Sequence, residues 1–309
     1  MSRLSDLAEL VRAPAALSVP GDVIAGAAAA GTLDRRTPAL AGASVLLYWA
    51  GMAANDWADR DLDAVERPER PIPSGRISPH TAFGLAAGLT AAGLGLAAAA
   101  GGRRAAAVAV PLAAAVWAYD VAAKNSAAGP PTMALCRGLD VLLGAAGGPT
   151  VRAVPAALTV AAHTWTVTAL SRREVSGTDA RLPLGTLAGT ALIAATAAVP
   201  PRSRTTTAAG TRCGTAGGDH GRTDLVAGVR AALPAALATL YTARYGTAQA
   251  RVVAEPTAGR VRAAVGAGIT GLPALQGALT ARAGAGLLGT AVAAAAPLAR
   301  RLARKVSPT

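Results

Sequence analysis

Asn55-Asp56-Trp57-Ala58-Asp59-Arg60-Asp61-Leu62-Asp63 closes a long apolar run, 38–55, and opens an arginine-rich loop, Glu66-Arg67-Pro68-Glu69-Arg70-Pro71-Ile72-Pro73-Ser74-Gly75-Arg76. Asp56, Asp59 and Asp63 are spaced i, i+3, i+7, so a helix would place them on one face. Three carboxylates on one face repel each other unless a cation lies between them. A divalent metal carrying a phosphate-bearing ligand meets that need. Mg²⁺ takes oxygen ligands, keeps several waters and usually binds one or two carboxylates together with substrate phosphates. Asn55 is suited to orienting a carboxylate or a phosphate oxygen. Arg67, Arg70 and Arg76 are suited to gripping a diphosphate through paired hydrogen bonds. From spacing alone, a solvated acidic–basic loop between two spans fits as well.

The rest of the chain sets the context for that stretch. The protein has 309 residues, 52% hydrophobic and only 15% charged, with mean hydropathy +0.39. Soluble chains carry about 25% charged residues. The deficit, with long Ala/Leu/Val/Gly runs, points to a polytopic membrane protein. A net charge of +13 invites a nucleic-acid partner. That class is excluded here, because the arginines stand in short clusters between apolar runs and only 3% of residues are aromatic. Such clusters read instead as topology signals and headgroup contacts with the lipid bilayer. Cys136 and Cys213 are too few for a disulfide framework or a metal site. No cleavable signal peptide is expected.

Apolar runs between breakers mark spans at 14–32, 38–55, 79–100, 104–123, 132–149, 152–171, 183–200, 225–245 and 262–281, with a shorter tenth run at 284–299. Lipid requires backbone groups to be satisfied internally, so these runs are expected to be helices. The expectation is an all-α, polytopic membrane helix bundle of nine transmembrane helices with a possible tenth, C-terminal one. It would form a single domain over 1–309 with its core at about 14–282. Loops 56–78, 124–131, 172–182 and 246–261 fall on one side. They carry Arg60, Arg67, Arg70, Arg76, Lys124, Arg172, Arg173, Arg181, Arg251 and Arg260, which places that side in the cytoplasm. Residues 201–224 are polar and of low complexity and are expected to form a flexible loop.

Further polar groups fall on the same side or inside spans. Leu170-Ser171-Arg172-Arg173-Glu174-Val175-Ser176-Gly177-Thr178-Asp179 offers Glu174 and Asp179 for a second metal; a short charged loop is the plainer reading. Trp117-Ala118-Tyr119-Asp120-Val121-Ala122-Ala123-Lys124 ends a span. Interfacial anchoring accounts for Tyr119 and Lys124 but not for Asp120. Arg137 and Asp140 lie i, i+3 within a span and are able to pair. A charge there costs roughly 2.5–3.5 kcal/mol on insertion scales. They serve either as a structural ion pair or as a substrate contact. Asp22 and His163 raise the same question.

Asn55-Asp56-x-x-Asp59-x-x-x-Asp63 followed by Arg70-Pro71-x-x-x-Gly75 resembles the first aspartate-rich motif of the UbiA superfamily of intramembrane prenyltransferases. The resemblance extends over the helix plan from about 14 to 282. It implies a helix bundle with a lateral opening to lipid and two acidic motifs at the cytoplasmic end, holding Mg²⁺ and a prenyl diphosphate. It places Asn55, Asp56, Asp59 and Asp63 in the first motif and Arg70 as a diphosphate contact. Lys124 resembles the family's lysine after the fourth span, one residue further from Tyr119 than the family pattern. Arg137 and Asp140 resemble its fifth-span polar pair, where asparagine is usual at Asp140. The second motif departs most, with Glu174, Thr178 and Asp179 in place of aspartates four apart.

The resemblance implies a Mg²⁺-dependent enzyme of the cell membrane. It would ionise a prenyl diphosphate and pass the prenyl group to a small aromatic or lipophilic acceptor. Catalysis is expected from Asp56, Asp59, Asp63 and Lys124. Metal ligation is expected from Asp56, Asp59, Asp63, Glu174 and Asp179. Substrate contacts are expected from Asn55, Arg67, Arg70, Tyr119, Asp120, Arg137, Asp140 and Arg173. Two rival readings remain: a terpene cyclase on the same scaffold, and a non-enzymatic membrane carrier. The absence of an inverted repeat speaks against the carrier.

Overall fold

The computed structural model describes residues 3–12, 18–199 and 220–295. Most of the polar stretch 201–224, Cys213 and the basic run 300–305 lie outside the described residues. The described residues form α-helices joined by short π and 3₁₀ turns, with no strand among them. In chain order the helices are α1 (Arg3–Leu10), α2 (Val19–Ala30), α3 (Thr37–Ala58), α4 (Arg60–Glu66), α5 (Pro79–Ala118), α6 (Gly129–Gly144), α7 (Val154–Ser171), α8 (Arg181–Ala198), α9 (His220–Tyr241), α10 (Thr247–Ala254) and α11 (Ala258–Arg282). A last apolar helix, α12 (Gly286–Ala295), lies in the tenth run. α9 begins at His220, so the last residues of the stretch expected to be a loop are helical.

Among the described residues, three helices are long and apolar enough to cross a membrane: Thr37–Ala58, Pro79–Ala123 and Thr150–Ser171. The second spans 45 residues, far more than the roughly 20 a bilayer needs. Gly102 resolves the excess. Its φ of 63° and ψ of −155° break the helix beside Arg103 and Arg104. Only glycine takes such a backbone without strain. The chain folds back on itself there. Trp117 Nε1 donates to Thr90 Oγ1 at 3.0 Å, and the Phe83 and Trp117 rings lie 6.0 Å apart. On a straight helix, 34 residues would separate that ring pair by about 50 Å. α5 is therefore two antiparallel arms, matching the separate runs 79–100 and 104–123.

The bundle packs through small residues, as expected where lipid gives no hydrophobic drive between helices. At the α2–α6 crossing, a Cβ on Gly26 would meet the Val141 carbonyl and one on Gly144 would meet the Val23 carbonyl. Backbone touches backbone at both points. Two buried clusters extend from this crossing. One joins α2, α3, α5 and α6 around Leu40, Leu47, Leu112 and Leu143. The other joins α6, α7, α8, α9 and α11 around Leu170, Tyr241, Tyr245 and Leu275.

The loops expected on one side do meet at one end of the bundle. Lys124 reaches Asp59 at 2.7 Å. Arg172 donates to the Ser126 carbonyl. The Thr178 amide donates to the Pro256 carbonyl at 3.1 Å, and Arg262 donates to the Glu174 carbonyl at 2.8 Å. Loops 56–78, 124–131, 172–182 and 246–261 thus form one mouth.

Candidate active site

The acidic stretch runs along the end of α3, through Asp59 and into α4. The ladder continues across the joint, where the Asp59 amide donates to the Asn55 carbonyl at 2.9 Å and the Asp63 amide to the Asp59 carbonyl at 2.8 Å. Asp56 and Asp63 converge on one guanidinium. Arg70 Nη1 lies 3.2 Å from Asp56 and 2.6 Å from Asp63. Both carboxylates are buried, at 4% and 3% exposure. Asp59 turns aside to Lys124. Arg67 stands 4.0 Å from Asp63 and is half exposed.

The loop that carries Arg70 is held by its own apolar residues. Ile72 and Ile77 are buried against Leu10 of α1 and Ala53 and Ala54 of α3. Gly75, with φ 75°, makes the turn between them, and the Ile77 amide donates to the Pro71 carbonyl at 2.9 Å. Arg76, read from sequence as a diphosphate contact, instead secures α1. It pairs with Asp6 at 2.6 Å and Glu9 at 2.7 Å. The hydrogen bonds it donates to Glu9 and Asp6 raise its pKa above the ordinary arginine value, so it stays cationic.

The chain also supplies a residue that the sequence reading passed over. Arg12, just beyond α1, donates to Asp56 at 2.7 Å. Its φ of 45° is the only positive non-glycine value among the described residues. A lone arginine before Ala13-Pro14 carries no spacing signal, and the i, i+3 rule does not reach 44 residues along the chain. The positive φ and the Asp56 contact are visible only in three dimensions.

Tyr119 to Ala123 form a π turn. The Lys124 amide donates to the Tyr119 carbonyl, five residues back, at 2.9 Å. A π turn accommodates one more residue than an α turn. The extra residue between Tyr119 and Lys124 is taken up there, and Lys124 still reaches Asp59. On the same turn, Asp120 is 3% exposed and accepts from Asn55 Nδ2 at 3.2 Å. Tyr119 is half-buried beside it.

Deeper in the bundle, Arg137 pairs with Asp22 of α2 at 2.7 Å rather than closing a local pair with Asp140. Asp140 accepts from Ser44 of α3. Gln276 of α11 donates to Asp22 at 2.6 Å. His163 shares a 2.9 Å hydrogen bond with the Tyr241 hydroxyl.

In the second acidic loop, Glu174 is partly buried. That burial raises its pKa above the ordinary glutamate value, with Arg262 opposing the rise. Asp179 is exposed and accepts from the Arg181 amide, at the start of α8, at 3.1 Å. Arg173 is exposed. Among the described residues, no three acidic, histidine or cysteine side chains form a ready-made metal cage. The first-motif donors nevertheless suit a hard divalent cation. They are carboxylate oxygens, and the Arg70 guanidinium already marks the point between Asp56 and Asp63 where positive charge belongs.

Away from this mouth, towards the Leu33–Pro38 end of α3, a groove of about 900 Å³ runs between α2 and α3. Pro20, Ile24, Val45, Trp49, Leu96 and Leu288 are among its lining residues. At 100° per residue, Gly42, Val45, Trp49 and Asp56 fall along one side of α3. Ser44, Tyr48, Gly51 and Asn55 fall along a second side, about a third of a turn away. One stripe is apolar up to Asp56, and the other is polar or glycine throughout.

A model of the UbiA prenyltransferase family matches residues 18–198. The chain belongs to the UbiA prenyltransferase family. The match covers α2 through α8, including both acidic loops and the Lys124 turn. Digeranylgeranylglyceryl phosphate synthase of Methanopyrus kandleri is 43% identical over 79 residues, 26% of this chain and 28% of that protein. The chloroplastic chlorophyll synthase of Oryza sativa subsp. japonica is 40% identical over 83 residues, 25% of this chain and 22% of that protein. The chain thus spans about a quarter of the length of these curated UbiA relatives. A solved structure concerned with digeranylgeranylglyceryl phosphate synthase in membranes superposes with a TM-score of 0.65, covering 92% of this chain and 99% of that one at 17% identity. This likeness shows that the bundle has the UbiA fold.

Proposed function

We propose that this chain is a Mg²⁺-dependent intramembrane prenyltransferase that transfers a prenyl group from its diphosphate to a lipophilic acceptor. The observation that carries the reading is the mouth itself. Asp56, Asp59 and Asp63 meet Arg12, Arg70 and Lys124, and these cations arrive from three separate segments. A structural ion-pair network does not need three acids at helical spacing facing a rim that is part exposed.

Asp56, Asp59 and Asp63 would hold the first cation. Glu174 and Asp179, on the loop tied to the Lys124 loop by Arg172, are assigned to the opposite rim for a second. When bound, Mg²⁺ supplies positive charge against the departing diphosphate. Arg70, Arg12 and Lys124 add donors for the same oxygens. Arg67 and Arg173, both more exposed, steer the anion to the rim. The prenyl tail runs from Asp56 down the apolar stripe of α3, past Trp49 and Val45, on a surface that keeps water away from the donor. The acceptor approaches from the neighbouring polar stripe.

The bundle is read as one domain of nine transmembrane helices, with α12 as a tenth element against α11. It resides in the cell membrane with its arginine-rich mouth in the cytoplasm, in keeping with the positive-inside rule. The curated relatives, named for a glyceryl phosphate lipid and for chlorophyll, support a lipophilic acceptor here.

Purified protein in detergent or nanodiscs is to be incubated with geranylgeranyl diphosphate and Mg²⁺, with and without hydroxyl-bearing lipid or phenol acceptors. Mass spectrometry then identifies the products. A prenylated acceptor is expected. A cyclised hydrocarbon formed without acceptor would make the chain a cyclase. Donor uptake into vesicles without diphosphate release would make it a carrier.

A further inference from the structure

Asp120 is a buried carboxylate that diphosphate binding does not use. One oxygen accepts from Asn55. Lys124, one turn on, is engaged by Asp59. A charge that deep with one neutral hydrogen bond is costly unless something else meets it. Three local features hold it in place. The π turn over Tyr119–Ala123 carries it, and such turns cluster at functional sites. Asn55 fixes one oxygen. Gly51 makes room for the other: a Cβ there would come within 2.6 Å of Asp120 Oδ2. Asp120 therefore lies against the polar stripe of α3, level with Asn55. Asp56, on the adjoining apolar stripe, is one residue along.

We propose that Asp120 is the base that takes the acceptor's proton. The proposal rests on the prenyl-transfer reading and deepens it. In the transfer step, the bond from the prenyl C1 to the diphosphate oxygen breaks and its electron pair leaves with the diphosphate. The acceptor oxygen forms a new bond to C1, and its O–H proton passes to Asp120 Oδ2. Diphosphate departure is governed from the Asp56 stripe, and acceptor deprotonation from the Gly51–Asn55 stripe. The acceptor class is one that sheds a proton on transfer, and an alcohol is the simplest probe of it.

The test is Asp120→Asn in the full chain, with geranylgeranyl diphosphate as donor and two acceptors of similar tail. One is a monoalkyl glyceryl phosphate, whose alcohol is protonated at neutral pH. The other is an alkyl dinitrophenol, a nitrophenol already ionised there. Loss of general-base help costs about 10²–10⁴-fold. The variant is expected to lose that factor with the alcohol and less than about tenfold with the nitrophenol, and to bind the donor as wild type does. Equal losses with both acceptors, or loss of donor binding, would make Asp120 a structural residue and overturn the proposal. So would unchanged transfer. A wild type that releases diphosphate but prenylates neither probe overturns the proposal while leaving the transferase reading standing. A wild type that releases no diphosphate overturns both.

Discussion

Two groups of acids and arginines in this bundle look alike on paper and differ in depth. At the mouth, Asp56 and Asp63 are buried, but the cations facing them are not: the side chains of Arg12, Arg70 and Arg67 are 40%, 18% and 53% exposed. In the interior, the side chains of Arg137 and Asp22 are 7% and 0% exposed, and Asp140 is fully buried. The mouth cations sit on long side chains that reach solvent, as the proposed diphosphate site requires. The interior pair joins α2 to α6, with Gln276 adding α11 and Ser44–Asp140 adding α3, and nothing from outside reaches it. The contrast assigns a helix-joining role to the sealed charges and ligand binding to the accessible ones, and each assignment makes its own predictions.

Asp56→Ala combined with Asp59→Ala puts that contrast under the greatest strain. Mg²⁺-dependent diphosphate release should fall on the order of 10⁴-fold, while the thermal unfolding midpoint moves little. A large loss of stability would make the mouth a structural network. Arg137→Ala should behave oppositely. It strands Asp22 in the interior and costs about 3–5 kcal/mol, read as loss of folded protein in size-exclusion fluorescence. Pairing it as Arg137→Met with Asp22→Leu should restore most of that stability; failure to do so would show that the pair does more than hold helices. Gly26→Val at the α2–α6 backbone contact should cost about 1–3 kcal/mol without selective loss of diphosphate release. Arg67→Ala is the mildest change. Its long, exposed contact with Asp63 should contribute less than about 1 kcal/mol, seen at most as a small rise in KM for the donor.

The sequence made the mouth legible where its logic is local. Asp56, Asp59 and Asp63 share a face because helical spacing requires it, and Gly101-Gly102-Arg103-Arg104 divides 79–123 into two runs before any coordinates exist. Loops 56–78, 124–131, 172–182 and 246–261 meet because alternate connections in a bundle must. What stayed hidden depends on long-range register. Arg137 and Asp140 are neighbours on one helix, so they suggested a local pair, whereas Asp22 is distant in sequence and adjacent in space. Arg12 belongs to the same class. The π turn before Lys124 left no mark beyond a spacing one residue too long. Arg76 read as a diphosphate ligand by its company in the loop, and Asp6 and Glu9 claim it instead.

Equilibrium binding of geranylgeranyl diphosphate tests the assignment of the mouth most directly, since it needs no acceptor. Titration calorimetry of wild type and Asp56→Asn/Asp59→Asn, with Mg²⁺ and with chelator, separates the contributions. Tight binding by wild type in Mg²⁺, lost with chelator and lost in the variant, is the expected result. Donor binding that persists in the variant at wild-type affinity would contradict the assignment.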